Sequence, residues 1–208
     1  STVYTVELPA HGQDSGSVAT ASLGAYADRV GAALDQAGSP AVLVGHSMAG
    51  MVISTVAERR PDDISRLIYV AGYLPKSGQS LQELASTDAD SQLGPNLMLN
   101  ANGTVGVKRT ALTSVFCADC STSQSAALDA NYRDEPAAPN AEKVALSAAN
   151  FGRVPKHYVF TLQDKAVSPA LQQRMVAATP VTSSTTVVTS HAAMLSQPQQ
   201  LAAILQSF

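Results

Sequence analysis

The sequence predicts an α/β fold: a mostly parallel sheet with helices on both faces. Three observations predict it. Short apolar runs alternate with segments of helical periodicity along most of the chain. One such run, residues 41–45, leads through a small-residue turn straight into an amphipathic stretch that includes Met51, Val52, Ile53, Val56 and Ala57. At 208 residues, 45% of them apolar, the chain can bury a full core as one domain.

Taken in order, residues 3–7 alternate apolar and polar and read as a strand, which ends in Leu8-Pro9-Ala10-His11-Gly12. Leu23, Tyr26, Val30 and Leu34 recur at helical spacing, and Gly38 with Pro40 stops that helix. Residues 41–45 form the second strand and 49–60 its helix, halted by Pro61. A third strand spans 67–71, with a loop at 72–75. From 76 to 151 the periodicity is weak and Ser, Asn, Asp and Pro are frequent. That stretch is expected to be an inserted lid of short helices and loops within a single domain, 1–208. A fourth strand at 157–162, a helix at 169–178, a fifth strand at 185–189 and a last helix at 198–206 complete the pattern.

The turn after the second strand carries the chemistry. It reads Gly45-His46-Ser47-Met48-Ala49-Gly50, a Gly-x-Ser-x-Gly pattern whose last position is Ala, with Gly50 one residue later. A strand reversing sharply into a helix needs small neighbours, and it presents the serine at its tip in strained backbone geometry. Ser47 is therefore the candidate nucleophile, and the backbone N–H of Met48 a candidate oxyanion donor. An idle serine in a Gly-rich turn is the plainer alternative.

A serine nucleophile needs a base, and the base needs an orienting acid. The chain has four histidines. His46 precedes the serine and is expected to point elsewhere, His11 lies after the first strand, and His157 opens the fourth strand at the wrong edge of the sheet. His191 follows the last strand, at the carboxyl edge where ligands gather. It is the candidate base. Asp164, at the exit of the strand beginning at His157, is the candidate acid; because Ser168-Pro169 already makes a good helix start, Asp164 is free for that role. Tyr73, Leu74, Phe116, Met194 and Leu195 are candidate apolar walls for a substrate, although each also fits core or lid packing.

Other classes find little support. A net charge of −3 offers no basic face for nucleic acid, and no apolar stretch approaches membrane-spanning length. Cys117 and Cys120 form a C-x-x-C without the further ligands a structural zinc needs, so a local disulfide or two free thiols is expected. Nothing reads as a signal peptide, and the start at Ser1 without Met implies trimming. The composition fits a soluble protein, either cytoplasmic or secreted or periplasmic. A homodimer stays open.

Four blocks resemble a known family: Val-Gly-His-Ser-Met-Ala-Gly-Met around Ser47, Val-Ala-Gly-Tyr-Leu-Pro-Lys around Tyr73, Thr-Leu-Gln-Asp-Lys-Ala-Val-Ser-Pro around Asp164, and Ser-His-Ala-Ala-Met-Leu-Ser-Gln-Pro around His191. They are similar to the α/β-hydrolases that include plant methyl esterases of the salicylic-acid-binding-protein type, hydroxynitrile lyases and bacterial relatives. The likeness runs from about residue 3 to the C-terminus and is loose in the lid. It implies an esterase-type triad of Ser47, Asp164 and His191, a small-molecule ester substrate, and no metal or organic cofactor. The lyases of that family carry a lysine directly after the histidine; here the position is Ala192, which favours a carboxylesterase-type hydrolase over cyanohydrin cleavage.

One departure matters. Family members begin with a strand whose His-Gly loop supplies an oxyanion donor and which lies beside the nucleophile strand. This chain starts at what resembles the following strand, so that first strand is missing from it. Two arrangements answer the gap: either a segment upstream of Ser1 is absent, or residues 3–7 pair directly with 41–45. An incomplete oxyanion hole would also suit a non-catalytic ligand-binding homologue. A lyase-like activity is the remaining alternative.

Overall fold

The computed structural model describes residues 2–38 and 40–208. The chain runs through helix α1 (Leu23–Ala37), strand β1 (Ala41–His46), α2 (Ala49–Arg59) and β2 (Ile64–Val70). There follow α3 (Leu81–Ser86), β3 (Leu97–Leu99), β4 (Thr104–Val107), α4 (Leu112–Phe116), α5 (Thr122–Asn131), β5 (Glu135–Pro136) and α6 (Ala138–Ala141). Then come β6 (Lys156–Thr161), α7 (Pro169–Ala178), β7 (Ser183–Val187), α8 (Ala193–Ser196) and α9 (Pro198–Ser207).

Among the described residues the main sheet is four-stranded and parallel in the order β1-β2-β6-β7. Its central strands are apolar on both faces, as a parallel sheet covered on two sides requires. In β2 alternate residues divide between two cores: Leu67 and Tyr69 pack with α1, α2 and α7, while Ile68 and Val70 pack with Val159, Val187 and Leu201 of α9. The stops that the sequence anticipates have a physical basis. Ser22 Oγ accepts from Ala25 N (3.0 Å) at the start of α1, and Gly38 ends it with φ 69°, donating to Leu34 O.

Residues 76–151 contain, besides short helices, a three-stranded antiparallel sheet in the order β3-β4-β5 that the sequence reading did not foresee. Its strands are too short to show a period. Polar contacts tie the segment to the rest: Glu142 accepts from Leu23 N, Glu58 from Ser147 N and Phe151 N, and Asp88 from Ser168 N.

Two expectations are corrected. Residues 3–7 join no sheet, so they do not pair with β1, which is an edge strand whose Val42 and Val44 stay exposed. Glu7 at the end of this stretch is held elsewhere: Arg29 of α1 donates to Glu7 O (2.9 Å), and the Glu7 carboxylate accepts from Gln13 N (2.9 Å). Apolar alternation reveals a buried face and not which backbone lies alongside. The last strand, moreover, lies two residues earlier than expected, so His191 is reached through a short loop rather than directly from the strand.

Candidate active site

The elbow forms because the space demands it. A Cβ on Gly45 would come within 2.8 Å of Ala49 O, and one on Gly50 within 2.3 Å of Tyr73 O. The Ala at position 49 is tolerated since the close approach falls on Gly50 instead. Ser47 sits between them at φ 52°, a conformation non-glycine residues rarely adopt. Three backbone bonds hold it there: Ser47 N donates to Val70 O (3.3 Å), and Gly50 N and Tyr73 N both donate to Ser47 O (3.0 Å each). The helix that follows has no side-chain cap, and among the described residues the N–H of Met48 has no backbone partner.

The acid and the imidazole meet in the interior. His191 is 3% exposed and Asp164 4%. His191 Nδ1 lies 2.7 Å from Asp164 Oδ2. An ionised carboxylate can only accept, so the proton sits on Nδ1 and leaves Nε2 as the free acceptor. Asp164 is firmly held: Oδ1 accepts from Ala166 N (2.8 Å) and Val167 N (2.9 Å), and Oδ2 also accepts from Thr161 Oγ1 (2.7 Å). Burial pushes this carboxyl up, but the adjoining imidazole and these hydrogen bonds outweigh it and hold it below its ordinary value. Ser47 Oγ makes no hydrogen bond to His191 among the described residues, whose bonds run instead to Asp164 and, through its carbonyl, to His46.

His46 does not point away from the site as the sequence reading expected. Its Nε2–H donates to His191 O (2.9 Å), with the two rings 4.4 Å apart. Desolvation, followed by the neighbouring His191, holds it below the usual imidazole range. Adjacency to the nucleophile in sequence was the available signal, but a contact spanning 145 residues is not readable from one chain. Gln172 was also missed. Fully buried on α7, it donates through Nε2 to Thr161 Oγ1 (2.9 Å), Val167 O (2.7 Å) and Asp164 Oδ2 (3.3 Å). A lone Gln among Leu171 and Met175 on the buried face of α7 was its only trace.

The apolar candidates fall in different places. The Phe116 ring lies 5.6 Å from that of His191. Tyr73 and Leu74 belong to the main core, Leu74 N facing Met175 Sδ at 3.4 Å. Met194 is 39% exposed, and Leu195 O accepts from Gln124 Nε2 (2.5 Å). His157 is bonded to Ser183 Oγ at the far end of the sheet, and His11 packs edge-on against Tyr26. Cys117 and Cys120 form a disulfide. Among the described residues no helix is long and apolar enough to cross a membrane.

The alpha/beta hydrolase family model matches residues 1–204. The chain is 29% identical over 178 residues to "Putative methylesterase 11, chloroplastic" of Arabidopsis thaliana, covering 81% of this chain and 46% of that protein. It is 28% identical over 186 residues to esterase PIR7B of Oryza sativa subsp. japonica, covering 81% and 69%. The chain thus spans about half the length, or less, of the first curated relatives it matches. Among solved structures, a pyrethroid hydrolase from Sphingobium faniae JZ-2 superposes with a TM-score of 0.82 at 21% identity, over 94% of this chain and 81% of that one. Polyneuridine aldehyde esterase does so with a TM-score of 0.81 at 19% identity, over 97% and 85%. At such identities these two structures speak for the fold.

Proposed function

The chain belongs to the alpha/beta hydrolase family, and on that premise we propose that it is a serine hydrolase cleaving small carboxylic esters through Ser47, His191 and Asp164. The observation that carries the reading is the buried Asp164–His191 pair at 2.7 Å, ending on a free Nε2, at the sheet edge where Ser47 sits in a left-handed turn. His191 Nε2 accepts the Ser47 proton as Oγ attacks the ester carbonyl, and Asp164 stabilises the imidazolium that results. The Met48 N–H donates to the oxyanion of the tetrahedral intermediate. His191 returns the proton to the departing alcohol, and water then attacks the acyl-enzyme by the same route.

In the resting molecule Ser47 and His191 are not hydrogen-bonded, so that bond must form when substrate binds; catalytic bonds commonly tighten in the Michaelis complex. Residues 76–151 act as the lid over the site, and Phe116 supplies an apolar wall beside the imidazole. The relatives named as methylesterases and esterases point to methyl and other small neutral esters as substrates. Replacing Ser47 with Ala should abolish p-nitrophenyl ester turnover; activity retained in that variant removes the mechanism.

A ligand-binding role without hydrolysis is the second reading. The specific observation in its favour is the unmade bond between Ser47 and His191. A fluorophosphonate separates the two, since stoichiometric modification at Ser47 marks a working nucleophile and none marks a binder.

A further inference from the structure

His191 is carried on a loop that begins after β7 ends at Val187; the exit of β6 ties its start, Gln163 N donating to Thr189 O (3.0 Å). Further support comes from residues 116–119 of the 76–151 segment, at the end of α4 and in the turn before α5. Phe116 O accepts from Ala192 N (2.7 Å) and from Ser190 Oγ (3.2 Å). The Asp119 carboxylate accepts from Thr189 Oγ1 (2.7 Å) and, through its other oxygen, from Ser190 Oγ. Thr189 Oγ1 also meets Ser196 Oγ (2.6 Å). Thr189 and Ser190 are fully buried, so no water competes for these hydroxyls. Both neighbours of His191 on one side and one on the other are therefore anchored to residues 116–119.

That turn is itself braced. Cys117 N donates to Thr113 O (2.9 Å), Cys120 N donates to Cys117 O (3.0 Å), and the disulfide spans the pair at a Cα separation of 5.2 Å. Asp119 lies inside the braced loop. Burial pushes its carboxyl up, yet the hydrogen bonds from Ser190, Thr189 and Ser196 outweigh that and keep it ionised. Asp164 fixes only the ring nitrogen of His191, and His46 only its carbonyl. Gln163 holds the loop backbone at Thr189, and the Asp119 turn holds the Thr189 and Ser190 hydroxyls and the Ala192 N–H, directly on either side of His191.

We propose that Asp119, held on the turn that the Cys117–Cys120 disulfide closes, is a positioning residue for His191. It holds the 189–192 loop so that Nε2 can close on the Ser47 hydroxyl when substrate binds. This rests on the esterase reading for its kinetic consequence, though not for its structural one. Displacing a reacting group by about 1 Å can cost on the order of a hundredfold in rate, so a loosened loop should lower kcat and leave KM nearly unchanged.

The test compares wild type with Asp119→Ala, Asp119→Asn and the Cys117→Ser/Cys120→Ser pair. Turnover of p-nitrophenyl butyrate is expressed per Ser47 labelled by a fluorophosphonate, which removes any loss of folded protein from the comparison. Asp119→Ala should reduce kcat by about 10- to 100-fold with KM within about twofold. Asp119→Asn, which keeps one acceptor, should recover part of the loss. The double Ser variant should lie between Asp119→Ala and wild type. Reducing the wild type with a dithiol should mimic it, the S–S bond breaking to two protein thiols as the dithiol becomes a disulfide. A readout independent of turnover is the downfield NMR proton of the His191–Asp164 hydrogen bond, which should broaden or shift in Asp119→Ala. A merely structural role would lower the melting temperature and move neither kcat per labelled serine nor that resonance; such a result overturns the proposal. If Asp119→Ala does not fold, Asp119→Asn with wild-type kcat and an unmoved resonance overturns it equally. Wild type without turnover or labelling would instead refute the esterase reading, and the resonance would still decide the role of Asp119.

Discussion

Gly50→Ala is the sharpest test of how the elbow is built. A Cβ there would stand 2.3 Å from Tyr73 O, 2.8 Å from Tyr73 N and 3.0 Å from Tyr73 C, where ordinary contact begins near 3.4 Å. The worst overlap is thus 3.4 − 2.3, or 1.1 Å, and it falls on backbone rather than on a side chain that could swing aside. The obstructing turn cannot retreat freely. Tyr73 N donates to Ser47 O (3.0 Å), and Tyr158 Oη donates to Gly72 O (2.8 Å). Relief must therefore drag on the backbone of Ser47. Overpacking of this kind costs about 1–3 kcal/mol, while Ala in place of Gly in a helix returns up to about 1 kcal/mol. The net loss should be about 1–2 kcal/mol, which for a domain of this size is a fall of about 2–8 °C in melting temperature. Calorimetry or far-UV circular dichroism reads the stability, and p-nitrophenyl ester turnover reads the elbow. Gly94→Ala is the control, because nothing lies within 4 Å of a Cβ built there. If Gly50→Ala matches Gly94→Ala in both melting temperature and turnover, the packing argument for the motif is wrong.

Other expectations concern the acid. Asp164→Asn should lower kcat by roughly 10⁴-fold, because an amide in place of Oδ2 no longer favours the proton on His191 Nδ1; steady-state kinetics checks it, and a loss under tenfold would leave Asp164 without its assigned role. The depressed pKa of Asp164 also predicts a pH effect of definite sign. Its folded value lies below the ordinary 3.8, so the unfolded chain binds more protons in that range. The stabilisation is complete above about pH 4 and is lost as pH falls through the depressed value. Urea midpoints between pH 6 and pH 3 should decline less steeply in Asp164→Asn than in wild type, and equal slopes would contradict the assignment.

Much of the candidate site was legible because its physics is local. The elbow needs Gly45 and Gly50 at fixed spacing from Ser47, and a strand exit needs a terminal residue such as Asp164, so short patterns carry those positions. His191 was reachable by elimination among four histidines. What stayed hidden depends on contacts made only after folding. His46 and Asp119 meet the His191 loop across 145 and about 70 residues respectively, and nothing in their neighbours announces it. Of the two arrangements offered for the gap beside β1, the pairing of residues 3–7 with it failed for the same reason. Alternation in that stretch reflected Val6 and Leu8 lying on the core, while Arg29 settled where the backbone went. The C-x-x-C motif could be read only as far as disulfide or thiols, since proximity in sequence does not decide oxidation.

The dependence of the His191 loop on residues 116–119 has a practical consequence for engineering. Inserted segments of this kind invite exchange between homologues as though they were interchangeable modules that merely recolour substrate preference. In this molecule a graft of 76–151 would also remove part of the footing of the His191 loop, at Phe116 O and Asp119. A chimera that imports a foreign segment should therefore bring its donor's own loop for residues 188–196, or retain the native Phe116-to-Cys120 turn within the transplant.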